Sequence, residues 1–142
     1  MASQISFGPE EVLMNNMQFA GLVDFSIEHA ERSVAAQNRS ILDRMKALRE
    51  LCWPGRGIDI AEDIPLIDDQ KFWCEQFFDL ARAIFDRSIG DHTHSFWQAG
   101  YIHRAMGVAY LFQRAVRTVD ERWSPDCLDY REFDRVVNRI ER

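Results

Sequence analysis

From Val12 to Leu48 the apolar residues hold a single helical phase. Val12, Phe19, Val23, Ala30, Val34, Ile41 and Leu48 recur at about 100° per residue, the signature of an amphipathic helix. Ile27 and Met45 widen the stripe, and no proline interrupts it. Two arrangements satisfy such a pattern. One is a helix of about 40 residues, roughly 60 Å long at a rise of 1.5 Å. The other is a pair of helices broken near Gln37-Asn38. Helices beyond about 25 residues are uncommon outside coiled coils, so a break or kink is expected. Gly8-Pro9-Glu10-Glu11 reads as the start, because proline suits the first helical position and acids suit the first turn.

The rest of the chain repeats the helical pattern. Asp68 or Asp69 caps an amphipathic helix that ends near Gly90, with Trp73, Cys74, Phe77, Phe78, Leu80, Ala81, Ile84 and Phe85 on its apolar face. A further helix runs from about Thr93 to Arg122 and stops at Ser124-Pro125. Its N-terminal half is apolar nearly all round, which marks a central helix. Gly100 and Gly107 on it leave room for a close neighbour. A last helix follows the capping box Asp129-x-x-Glu132. Trp53-Pro54-Gly55 ends the first element, and residues 54–67 form one long acidic loop in which Gly57-Ile58-Asp59-Ile60 is too short an alternation to count as a strand. The predicted fold class is therefore all-α: a bundle of four to six helices, residues 1–142 forming a single domain.

Function is less legible. Three of the four histidines fall in Gly90–Gly107, but they do not converge. His94 and His103 sit half a turn out of phase on one helix, and His92 and His103 are separated by about 16 Å of helical rise. A metal needs ligands about 2 Å from one point. The expectation is a helix start with partly exposed histidines, and neither a metal site nor a cofactor. No nucleophile elbow, phosphate loop or paired Glu-x-x-His motif occurs, so no catalytic residue is assigned and a non-enzymatic protein is expected. Arg104 lies at the edge of an apolar stripe, where a salt bridge to Asp24, Glu28 or Asp79 is expected. The three cysteines, Cys52, Cys74 and Cys127, are far apart and odd in number. They fit buried thiols in a reducing, cytoplasmic setting. The N-terminal residues lack a secretory pattern, and no apolar run is long enough for a membrane span.

Charge gives the sharpest hint. Of the net charge of −6, residues 53–91 carry nine acids against four bases, a net of −5. Such a segment repels a nucleic-acid backbone and attracts a basic protein. The expected contact surface combines carboxylates for steering, Asp59, Glu62, Asp63, Asp68, Asp69, Glu75 and Asp79, with two apolar anchors, Ile60 and Phe72. The expected function is protein binding: an inhibitor of bacterial or phage type, in the manner of an immunity protein or a phage-encoded antagonist, occupying a basic, nucleic-acid-processing or toxic partner. One alternative is a small-molecule or metal-binding bundle using the interior around Trp73, Phe77, Trp97 and Tyr101. A second is a structural homodimer built on the long N-terminal helix.

Overall fold

The computed structural model describes residues 2–33, 39–52, 56–91 and 96–125. Its elements run β1 (Ala2–Phe7), β2 (Glu10–Asn15), α1 (Asn16–Ser33), α2 (Arg39–Leu51), β3 (Ile58–Asp59), α3 (Ile60–Asp63), α4 (Ile67–Asp91) and α5 (Phe96–Arg117). Helices dominate, but a three-stranded mixed sheet of order β2-β1-β3 overturns the all-α expectation.

The correction begins at Gly8-Pro9. These residues do not start a helix. They are the two-residue turn of a hairpin in which Phe7 faces Glu10 and Ile5 faces Val12. Gly8 has φ +60, and proline fixes the next φ near −65°. Glycine in the first central position with a positive φ is the requirement of a type II′ turn, whose twist matches that of the flanking strands. Side chains then alternate. Ser3, Ile5 and Met14 are buried, whereas Gln4, Glu11 and Leu13 are exposed. Helix α1 begins only after the hairpin, behind a reciprocal cap. The Gln18 amide N–H donates to Asn15 Oδ1 (2.8 Å), and the Asn15 N–H donates to Gln18 Oε1 (3.1 Å).

The first helical stripe is divided between two helices. Arg49 of α2 donates to Asp24 of α1 at 2.6 Å, and Lys46 pairs with Glu31. In one continuous helix, Asp24 and Arg49 would stand about 37 Å apart. The pairings instead require α1 and α2 to run antiparallel, so the expected break is present. Gln37-Asn38 itself lies outside the described residues. Of the expected stripe, Phe19, Val23, Ile27 and Ala30 are buried on α1 and Met45 and Leu48 on α2, Ile41 of α2 is half-buried, and Val12 lies on β2.

The long acidic loop is also corrected. Ile58-Asp59 is a short strand that pairs in parallel with Ile5-Ser6 of β1. It leads directly into α3, capped by the Asp59 carboxylate, which accepts from the Ala61 N–H at 3.1 Å. The strand needs Gly57 before it. With φ +76, Gly57 lies so close to β1 that a Cβ there would be 2.4 Å from the Gln4 carbonyl oxygen.

Helices α4 and α5 form an antiparallel hairpin. The Cys74 thiol donates to the Ala109 carbonyl, Phe78 meets Tyr110 edge-on, and Lys71 pairs with Asp120. Helix α5 is central as expected, packing on α4, α1, α3, β1 and β2. Gly107 admits the sheet, with the Val12 Cγ2 atom only 3.2 Å from where a Cβ would stand. Arg114 and Glu10 pair across the same contact. No helix among the described residues is long and apolar enough to cross a membrane.

Candidate functional site

The nine residues of the expected surface separate into two groups. Five are used by the fold itself. Ile60 is 0% exposed and Phe72 only 7%, so Ile60 is no surface anchor and Phe72 shows only a sliver of its side chain, at the groove between α2 and α4. Ile60 follows β3 and keeps the strand's inward alternation. Phe72, expected as an exposed anchor, instead joins the buried core cluster. Asp59 caps α3. Asp63 accepts from the Asp59 N–H at 2.8 Å and from the Arg56 guanidinium at 2.8 Å. Asp69 takes two charge-assisted hydrogen bonds from Arg44 of α2, to Nε at 2.6 Å and Nη2 at 2.7 Å.

The other four, Glu62, Asp68, Glu75 and Asp79, remain exposed. Glu62 lies on α3. The remaining three lie on α4 at spacings of seven and four residues, which puts them within about 40° of one another along about 16 Å of helix. Partial desolvation on the helix surface raises the pKa of the Glu75 carboxyl, and Asp79 one turn on raises it further, while Lys71 acts the other way.

A groove of about 400 Å³ runs between α2 and α4, lined by Ser40, Ile41, Arg44, Asp68, Lys71, Phe72 and Glu75. Sequence reading missed its α2 wall, because nothing local joins Ser40, Ile41 and Arg44 to residues almost thirty positions away. The amphipathic pattern of α2 fixed which side it buries but not its neighbour.

His92 and His94 lie outside the described residues. Those described hold no group of three or more His, Cys, Asp or Glu side chains placed to share a metal ion. Arg104 is half-buried on α5, and Asp24, one of its expected partners, is held by Arg49. Cys52 and Cys74 are buried free thiols. Burial pushes the Cys52 thiol pKa up, although Arg56, which donates to its Sγ at 3.1 Å, acts in the opposite direction. The aromatic interior fills itself. Trp73, Phe77 and Phe112 stack on one another with centroids 5.7–6.0 Å apart. The side chains of Trp97 and Tyr101 lie outside the described set.

The chain matches no protein-family model, and no curated protein or solved structure is significantly similar to it.

Proposed function

We propose that the protein is a non-enzymatic binding module that engages a basic protein partner through the exposed face of α4. The observation that carries this reading is the alignment of Asp68, Glu75 and Asp79 along that face, with Glu62 of α3 also exposed. Asp68 and Glu75 are distinct from the carboxylates that cap α3 or clamp Arg44, so they are available to a partner without loss of those contacts. Rim charges of this kind act mainly on the encounter rate, and salt screens them, since the Debye length is about 8 Å at 0.15 M. Occupation of a basic partner, as an inhibitor of a nucleic-acid-processing or toxic protein in the cytoplasm, is the role that such a surface suits.

The test is a comparative capture experiment. Wild-type protein and an Asp68→Lys/Glu75→Lys/Asp79→Lys variant, each shown to be folded by circular dichroism, are immobilised and exposed to lysate of the native host and of its competitors. A partner supporting the reading is basic, is retained by the wild type, is lost from the variant, and is released by salt between roughly 50 and 300 mM. Equal retention on both proteins sinks the proposal.

A further inference from the structure

We propose that the groove between α2 and α4 receives an arginine side chain of the partner, with its carbon stem on Ile41 and Phe72 and its guanidinium at Glu75 and Asp68. This rests on the basic-partner reading and specifies how the partner is held.

Four charged residues line the groove. There are two cations, Arg44 and Lys71, and two anions, Asp68 and Glu75. The cations are already engaged. Arg44 is clamped on Asp69. The Lys71 Nζ is 3.3 Å from Asp120 Oδ2 and 5.9 Å from the centre of the Trp123 ring. Neither Asp68 nor Glu75 has an ion pair among the described residues. Counted with Asp69 and Asp120, the groove and its immediate partners hold four carboxylates and two cations, so a cation from outside is attracted and an anion is repelled.

The shape narrows the choice of cation. At about 400 Å³, the groove is at the small end of ligand sites, which run from about 300 to 1,000 Å³. It has an apolar wall as well as carboxylates. Ile41 is half-buried and Phe72 presents only an edge. A compact inorganic cation has no use for that wall. An arginine side chain does, because its methylene stem covers apolar surface while its planar head makes bidentate hydrogen bonds to a carboxylate. The Arg44–Asp69 pair next to the groove uses the same geometry internally. Asp68 and Glu75 are seven residues apart, about 10 Å along the helix. One therefore accepts the guanidinium directly, and the other adds its field. Glu75 is the direct partner, because it stands three residues from Phe72, about 4.5 Å of rise, against four residues and about 6 Å for Asp68.

The experiment uses the full chain, isotope-labelled for NMR, and N-acetyl-L-arginine methylamide as the probe. Expected is saturable binding with a Kd on the order of 1–10 mM, as for a single side chain without the rest of an interface. Shifts are expected to concentrate at Ile41, Phe72 and Glu75. Glu75→Gln should weaken the probe at least threefold, and Glu28→Gln, on α1 and outside the groove, should leave it unchanged. The analogous norleucine amide, which has the stem but no charge, should not bind measurably. Shifts that are non-saturating and scattered over many acidic residues, or equal in wild type and Glu75→Gln, overturn the groove assignment. In that case the capture experiment decides separately whether a basic partner exists. If the α4 charge reversal leaves capture unchanged, the parent reading falls and this proposal falls with it. Tighter binding of the lysine analogue than of arginine overturns the guanidinium assignment.

Discussion

Gly57 and Gly8 allow the sheet, the largest departure from the sequence expectation, to be tested by substitution. Both residues have a positive φ, +76 and +60. An alanine in that region costs about 1–2 kcal/mol through contact between Cβ and its own backbone. The two sites differ in what lies beyond. At Gly8 nothing stands within 4 Å of a new Cβ, whereas at Gly57 the Gln4 carbonyl oxygen is 2.4 Å away and its nitrogen 3.2 Å. That obstacle is backbone, so no rotamer change relieves it. Either β1 or β3 must move, at the place where Ile5 pairs with Ile58. Overpacking of this kind adds about 1–3 kcal/mol. Gly8→Ala should therefore lose about 1–2 kcal/mol and Gly57→Ala about 2–5 kcal/mol.

Urea denaturation followed by tryptophan fluorescence measures both. At a slope of about 2 kcal/mol/M, the Gly57→Ala midpoint should fall by roughly 1–2.5 M and that of Gly8→Ala by roughly 0.5–1 M. Because Gly57→Ala acts at the β1–β3 pairing, amide exchange at Ile58 and Asp59 should also accelerate relative to α4. Equal midpoints for the two variants would refute the close approach of β3 to β1, and with it the sheet as described.

Three further outcomes are expected. Arg44→Ala should destabilise the protein by about 2 kcal/mol in chemical denaturation, less than a fully buried pair because Arg44 is half exposed, yet substantial because it strands the Asp69 carboxylate, whose side chain is 7% exposed; a loss under about 0.5 kcal/mol would place Asp69 in water. Glu75→Gln should stabilise the fold at pH 7 by a few tenths of a kcal/mol, the scale of a like-charge pair four residues apart. Its raised folded pKa means that ionisation penalises the native state, so the gain should be present above the raised value and vanish as pH falls below the ordinary carboxylate range, and a gain that grows on acidification would contradict this. Cys52, its thiol pKa pushed up by burial, should resist alkylation in the native protein at pH 7.5, and mass spectrometry showing it labelled as fast as a free thiol would show that the site opens.

Much of the helical architecture was legible because it depends on local periodicity. Helix α4 was expected from Asp68 or Asp69 to near Gly90 and spans Ile67–Asp91. The all-round apolar stretch of α5 signalled its central position. The sheet was not legible, for two different physical reasons. At Gly8-Pro9-Glu10-Glu11 the same four residues satisfy the rules for a helix start and for a hairpin turn, and only the alternation of Ile5, Phe7, Val12 and Met14 on either side separates them. At Ile58-Asp59 no local rule suffices. A two-residue strand exists only because β1, more than fifty positions earlier, provides an edge for it. The site shows the same limit. Asp68 and Asp69 are neighbours in sequence, yet one is exposed and the other buried in an ion pair. They point about 100° apart on the helix, and the arrival of Arg44 on one side is a tertiary event that no window around residue 68 contains.

These corrections change what kind of surface a partner would meet. An acidic loop of fourteen residues would have to be ordered on binding, at a cost in chain entropy that weakens association. In the structure much of that segment is already fixed. Ile58 is in the sheet, Ile60 and Ile64 are in the core, Asp59 and Asp63 cap α3, and the Gln70 side-chain amide donates to the Ile64 carbonyl at 2.8 Å. Ile58, Ile60 and Ile64 therefore tie the chain to the core and do not reach outward. The acids that do face outward on α4 have backbone positions set by packing of that helix against α5 and α1, with the Arg44–Asp69 pair tying it to α2. A rigid row of carboxylates loses little freedom when a basic surface docks, and its field acts before contact is made. Removal of the α2 clamp should thus weaken a partner's binding even though Arg44 and Asp69 belong to the fold, because the groove would lose the wall that carries Ile41 while Asp68 and Glu75 keep their charges.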